Sequence, residues 1–152
     1  MSADAAAVDL RGMPLRLSSS RSEAVEGREA MVLAVLEARC GISLGGRDVY
    51  LSVAGGYRIS EPAGDLAAAA ALLTSLADRP APEKSVFFGE IALSGTIRPV
   101  ARMEQRLKEA QRLGFRHAFV PEGSFSAIEG LTVTGLARLS ELVELLGPET
   151  DA

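Results

Sequence analysis

The chain is expected to fold as an α/β (α+β) domain. Segments with apolar residues at helical spacing alternate with short β-rich runs, and glycine or proline marks most of the junctions between them. Residues 8–17 offer a first strand, weakened by Gly12 and Pro14, and Ser18 to Ser22 is a polar connection. Gly27 to Arg39 places Met31, Val32, Val35 and Leu36 on one helical face, and Gly41 closes that helix. Asp48 to Ala54 is β-rich and is punctuated by Gly55-Gly56.

The next helix, about Asp65 to Ala77, contains the alanine run Ala67 to Ala71. Alanine is the best helix former, and its small side chain lets a helix lie close to a neighbour. Glu61 and Asp65 stand near the N-terminus, where the helix dipole favours negative charge, and Asp78-Arg79-Pro80 ends the element. Ser85 to Leu93, the turn Ser94-Gly95 and Thr96 to Val100 read as a hairpin. Met103 to Leu113 is amphipathic, with Met103, Leu107 and Ala110 on one face and Gly114 after it. His117 to Val120 and Leu131 to Thr134 read as strands. A final helix, about Leu136 to Leu146, has a stripe of Leu139, Leu142, Val143 and Leu146.

At 152 residues the chain is most simply one domain with a proper core. Its 47% hydrophobic and 24% charged residues are those of an ordinary globular protein. No apolar run approaches the roughly 20 residues that span a bilayer, so no membrane partner is expected. Met1 to Leu10 lacks a basic stretch followed by an apolar core, which argues against a signal peptide and for a cytoplasmic location. Cys40 and His117 are the only cysteine and histidine, which excludes an internal disulfide and a Cys/His metal cluster, so no metal site is assigned. Cys40 reads as a small buried hydrophobe and His117 as a strand-edge histidine rather than a catalytic base. The net charge of −4 argues against general nucleic-acid binding. Locally, however, Arg98, Arg102, Arg106, Lys108, Arg112 and Arg116 outnumber Glu104 and Glu109.

The longest informative stretch runs from Gly55 to Pro121. It holds Gly55-Gly56-Tyr57-Arg58-Ile59-Ser60-Glu61-Pro62-Ala63-Gly64-Asp65 before the alanine helix, and Phe88-Gly89-Glu90-Ile91-Ala92-Leu93-Ser94-Gly95-Thr96-Ile97-Arg98-Pro99-Val100 after it. These segments resemble the proteolytic domain of Lon proteases, and more closely the Lon-like C-terminal domain of the bacterial RadA (Sms) DNA repair family. The resemblance covers about residues 28 to 146. It departs at Gly64, where that family usually has alanine, and before Gly27. It implies a Lon proteolytic-domain-like fold, similar to domain 2 of ribosomal protein S5. The implied organisation is an N-terminal tail with a candidate first strand over 1–22, the Lon-like domain over 23–147 and a C-terminal tail over 148–152.

In the active proteases the turn before the helix reads Pro-Ser-Ala-Gly, and a lysine takes the proton of its serine. Here Ala63 holds the serine position, and residue-by-residue matching puts Glu104 at the lysine position. The two lysines present are Lys84, in the loop after the alanine helix, and Lys108, four residues after Glu104 at the spacing of a surface ion pair. Ser60 and Ser94 lie near in sequence without a credible base, so no catalytic residue is assigned. Gly55-Gly56 reads as a tight strand exit rather than a phosphate cradle, because no Gly-x-x-x-x-Gly-Lys-Ser/Thr occurs.

Arg58, Arg98 and Arg106 fall in segments that match the RadA family and are the candidate DNA contacts, since the guanidinium fork suits phosphate. The alternative for each is an ion pair with Glu61, Glu90 or Glu109. The resemblance further implies assembly of like subunits into a hexameric ring, with DNA contacted through the ring. The parent protein would be a DNA-dependent ATPase acting in recombinational repair and branch migration. Zinc and ATP would be bound outside this chain and no cofactor within it. Rival readings are a Lon-type serine peptidase or peptide-binding domain, and a Lon-like domain of another ATPase, such as a magnesium-chelatase relative, used for assembly.

Overall fold

The structure is a computed structural model that describes residues 5–8, 14–18, 28–42, 50–53, 62–77, 79–123 and 125–148. The elements are β1 (Ala5–Val8), β2 (Pro14–Ser18), α1 (Arg28–Cys40), β3 (Tyr50–Val53), α2 (Asp65–Ala77), β4 (Ser85–Phe87), β5 (Glu90–Ile91), β6 (Ile97–Arg98), α3 (Met103–Arg112), β7 (His117–Pro121), β8 (Thr132–Leu136) and α4 (Leu139–Leu146). One antiparallel sheet has the order β1-β2-β3, a parallel sheet has the order β4-β7-β8, and β5 and β6 form a two-stranded hairpin. The result is a mixed α/β fold.

Strand alternation explains how the parallel sheet divides two cores. Phe87 and Phe119 face a layer built from α1, α2 and α4, where their rings stack at 4.8 Å. Val86, Ala118 and Val120 face the other way, onto Met103, Leu107 and Ala110 of α3. Parallel strands covered on both faces are buried along their length, and Ser85–Phe87 is buried throughout. The α3 stripe is the one that sequence periodicity gives.

The α2 helix is buried on all sides from Leu66 to Thr74. Its alanines therefore bring neighbouring elements close to the helix axis rather than marking one apolar face. Inside it, Thr74 Oγ1 donates back to the carbonyls of Ala70 (2.9 Å) or Ala71 (3.1 Å), which gives a buried hydroxyl a partner. The α1 helix ends at Cys40 with Gly41 in the left-handed region at φ +69°, as a helix-terminating glycine allows.

Three expectations change. Residues 8–17 hold not one strand but parts of two, Ala5–Val8 pairing antiparallel with Pro14–Ser18. The single strand expected over 85–93 breaks after Phe87. The Phe88 amide still reaches Phe119 O (3.0 Å), but the Gly89 amide turns to Ala63 O (3.1 Å), and pairing resumes with β6 at Glu90. Glycine suits this switch, because a Cβ on Gly89 would lie 3.0 Å from Ile97 Cγ2 and 3.3 Å from Leu66 Cδ2, and both side chains would have to give. Finally, Leu136 closes β8, paired with Pro121, instead of opening the last helix, which begins at Leu139. A buried leucine satisfies either period, and the β7 ladder decides between them.

Candidate functional site

The turn that the sequence singles out is a short 3-10 segment, Pro62–Gly64, leading directly into α2. Two reciprocal hydrogen bonds fasten it to the strand switch, Gly89 N to Ala63 O (3.1 Å) and Leu66 N to Gly89 O (3.1 Å). Asp65, fully buried, accepts the Ile91 amide on Oδ2 at 3.0 Å and so ties the start of α2 to β5. The side chain at the middle of this fastened turn is the methyl of Ala63, only 3% exposed.

Glu104, which the resemblance matches to the lysine position, stands in the first turn of α3 and is exposed. It pairs with Lys108 Nζ at 3.3 Å, the surface ion pair that their spacing predicts. Lys84 is exposed in a turn before β4, with its backbone at φ 57°. Its carbonyl accepts the amides of Arg116 (2.9 Å) and His117 (3.2 Å). Ser94 lies exposed at the hairpin tip and donates from Oγ to Thr96 Oγ1 (3.0 Å). Ser60 lies outside the described residues.

Of the three candidate DNA contacts, Arg58 also lies outside the described residues. Arg98 is exposed on β6, in register with Glu90 across the hairpin. Arg106 is half-buried on α3, and its Nε donates to Ala101 O at 2.7 Å, closing the loop that precedes the helix. Its stem lines a small hollow with Val86, Phe88, Glu109, Ala110, Leu113 and Phe115. Glu109 is taken by Arg112, whose Nη2 lies 2.6 Å from both of its carboxylate oxygens. Arg98 and Arg102 lie before α3, and Arg102 adopts φ 59° and is exposed.

His117 Nε2 shares a hydrogen bond with Thr134 Oγ1 (2.8 Å), and its ring stacks on Phe119 at 4.3 Å. Burial lowers its pKa, so the neutral imidazole is favoured. Burial raises the Cys40 thiol, with the positive charge of Arg138 working the other way. Among the described residues no three His, Cys, Asp or Glu side chains gather as metal ligands, and no helix is long and apolar enough to cross a membrane.

One arrangement has no trace in the sequence. Arg39, in the last turn of α1, and Arg138, just before α4, both reach the turn between β5 and β6. The tertiary fold alone joins them, and no local spacing could have signalled it.

Comparison with known proteins adds a family and a set of relatives. Residues 10–124 match the family described as subunit ChlI of Mg-chelatase. The chain is similar to the DNA repair protein RadA of Brucella abortus (strain 2308), 62% identical over 98 residues, covering 64% of this chain and 21% of the relative. It is 45% identical over 141 residues to the DNA repair protein RadA of Rickettsia bellii (strain RML369-C), covering 89% of this chain and 30% of the relative. The corresponding protein of Streptococcus pyogenes serotype M3 (strain SSI-1) is 40% identical over 120 residues, covering 77% and 26%. The chain therefore spans less than a third of the length of these curated relatives.

Proposed function

The chain belongs to the family of subunit ChlI of Mg-chelatase, its relatives carry the name DNA repair protein RadA, and we propose that it is a non-catalytic Lon-like module of a DNA repair protein of that kind. In this reading it serves as a scaffold between like subunits of a hexameric ring and contributes a DNA-contacting surface. The parent protein would couple ATP to branch migration, with its zinc and nucleotide sites outside these residues.

One observation carries the non-catalytic part. The turn Pro62–Gly64 carries a buried alanine methyl at Ala63, which the resemblance matches to the nucleophile, and Glu104, which it matches to the lysine, is an exposed carboxylate. A methyl has no lone pair with which to attack a carbonyl. An acidic side chain held by Lys108 on the surface is not a desolvated amine ready to take a proton. The DNA contact is supported by exposed Arg98 and by the names of the relatives. Scaffold use alone, as in an ATPase related to magnesium chelatase, is the second reading, favoured by the family match over residues 10–124.

The deciding experiment sets casein and fluorogenic-peptide cleavage, with and without ATP, beside DNA binding and light scattering across a concentration series. The expected result is no turnover, weak salt-sensitive DNA binding and growth beyond monomer. Peptide turnover lost in Lys108→Ala would instead establish a peptidase. Self-association without any DNA binding would leave the scaffold reading alone.

A further inference from the structure

We propose that Arg39 and Arg138, brought together at the tip of the β5–β6 hairpin, form a clamp for a nucleic-acid phosphodiester, with Leu93 as the apolar contact beside it. This deepens the DNA-contacting part of the reading above and rests on it. It places that contact on residues that the sequence does not single out.

The two side chains arrive from opposite ends of the chain and meet successive carbonyls. Arg39 Nε donates to Leu93 O (3.3 Å), and Arg138 Nη2 lies 3.5 Å from Ser94 O. Both guanidinium groups are therefore anchored to adjacent residues of one turn. Each has five N–H donors and uses one of them here, so most of both forks is left for a ligand. Both residues are exposed.

Among the described residues no carboxylate forms an ion pair with either arginine; the ion pairs found are Lys108–Glu104 and Arg112–Glu109. Glu37, two residues before Arg39, is exposed on α1, and Glu141, three residues after Arg138, uses Oε1 to accept the amides of Ala137 and Arg138, both at 3.2 Å. Two like charges held on one turn, with no ion-pair partner among the described residues, suit an anionic ligand. The field of Arg138 is felt by its neighbour Cys40, whose thiolate it favours against the effect of burial.

The frame is rigid. Leu139 N donates to Gly95 O (2.8 Å), Ile97 N to Ala137 O (3.0 Å), and Ala92 N to Thr96 O (2.9 Å). Thr96 and Arg138 are joined by an antiparallel bridge. The stem of Arg39 rests against Gly95, with its Cβ 3.5 Å from where a side chain would begin there. A clamp built on such a frame loses little freedom when it closes on a ligand. Leu93, 72% exposed, is the most exposed large apolar side chain described, and it projects from the same turn. A phosphodiester offers an oxyanion for two guanidinium forks with an apolar sugar or base edge alongside, which matches this pairing of chemistry.

The test is fluorescence anisotropy of labelled single-stranded and duplex DNA titrated with the 152-residue chain at several salt concentrations. The variants are R39Q/R138Q, R39K/R138K, L93S and R98Q, each checked for an unchanged melting curve. R39Q/R138Q is expected to weaken duplex binding at least about tenfold at low salt. It should lower the slope of log K against log salt by about 1.8, or about 0.9 for each lost contact. R39K/R138K keeps the charge and should retain most of that slope, which also separates lost charge from lost folding. L93S should weaken binding with the slope unchanged. Wild-type affinity and slope in R39Q/R138Q, with weaker binding in R98Q, would overturn the clamp and leave the DNA-contacting reading standing. No DNA binding by the wild-type chain at low salt would remove both. Displacement of DNA by polyglutamate at equal charge concentration would reassign the clamp to an acidic protein partner and overturn it as a phosphodiester site.

Discussion

The carboxylate of Asp65 accepts the backbone amide of Ile91 at 3.0 Å, with Asp65 itself out of contact with solvent. That bond links the first residue of α2 to the first strand of the hairpin that carries Leu93, Arg98 and the turn beneath Arg39. Asp65 also places negative charge at the N-terminus of a 13-residue helix. Asp65→Ala is expected to lower stability by about 2–3 kcal/mol, because it leaves a buried amide without its acceptor. Asp65→Asn keeps an acceptor oxygen and should cost less. Urea denaturation of both variants checks the order, and equal losses would mean that charge rather than the Ile91 bond dominates.

Gly89 is where the chain leaves the parallel sheet for the hairpin. Gly89→Ala puts a methyl 3.0 Å from Ile97 Cγ2 and 3.3 Å from Leu66 Cδ2. Because those are side-chain ends that shift slightly, the expected loss is about 1–2 kcal/mol, at the lower end of overpacking costs. Gly89→Leu should destabilise well beyond this. A thermal melt in which Gly89→Ala matches the wild type would show that the close approach is slack.

His117 gives the domain a pH dependence of definite sign. Its folded pKa lies below the ordinary 6.5, so between those two values the unfolded chain binds more protons than the folded one. The contribution of His117 is therefore fully present above about pH 7 and is lost as the pH falls through 6.5 toward the folded value. His117→Gln should flatten the stability profile in that window and leave untouched the steeper loss from carboxylate protonation below about pH 5. Melting temperatures across the range read this directly, and a wild-type profile that is flat from pH 7.5 to 5.5 would contradict it.

Arg98 and Arg106 should part company when each is changed to alanine. Arg98 is exposed, so Arg98→Ala should leave stability within about 0.5 kcal/mol while weakening DNA binding and lowering the duplex salt slope by about 0.9. Arg106 closes the loop at Ala101 O, so Arg106→Ala should lower stability by about 1 kcal/mol or more, whatever its effect on DNA. Paired denaturation and binding measurements separate the two. Unchanged stability in Arg106→Ala would free that residue for a purely DNA-directed role.

Periodicity and punctuation were enough to locate α1, α2 and α3 nearly to the residue, because helical spacing, the alanine run and a terminating glycine are local properties. The Lys108–Glu104 pair was legible for the same reason: four residues along a helix surface fix the contact. Tertiary structure alone decided the rest. Whether Leu136 ends a strand or starts a helix depends on β7, and where the strand after Ser85 breaks depends on a turn that lies before α2. Asp65 looked like a helix-dipole partner, and only packing made it a buried anchor for Ile91. Arg39 and Arg138 carry no common pattern, since contacts between distant segments are set by how the helices close on the hairpin rather than by any local propensity.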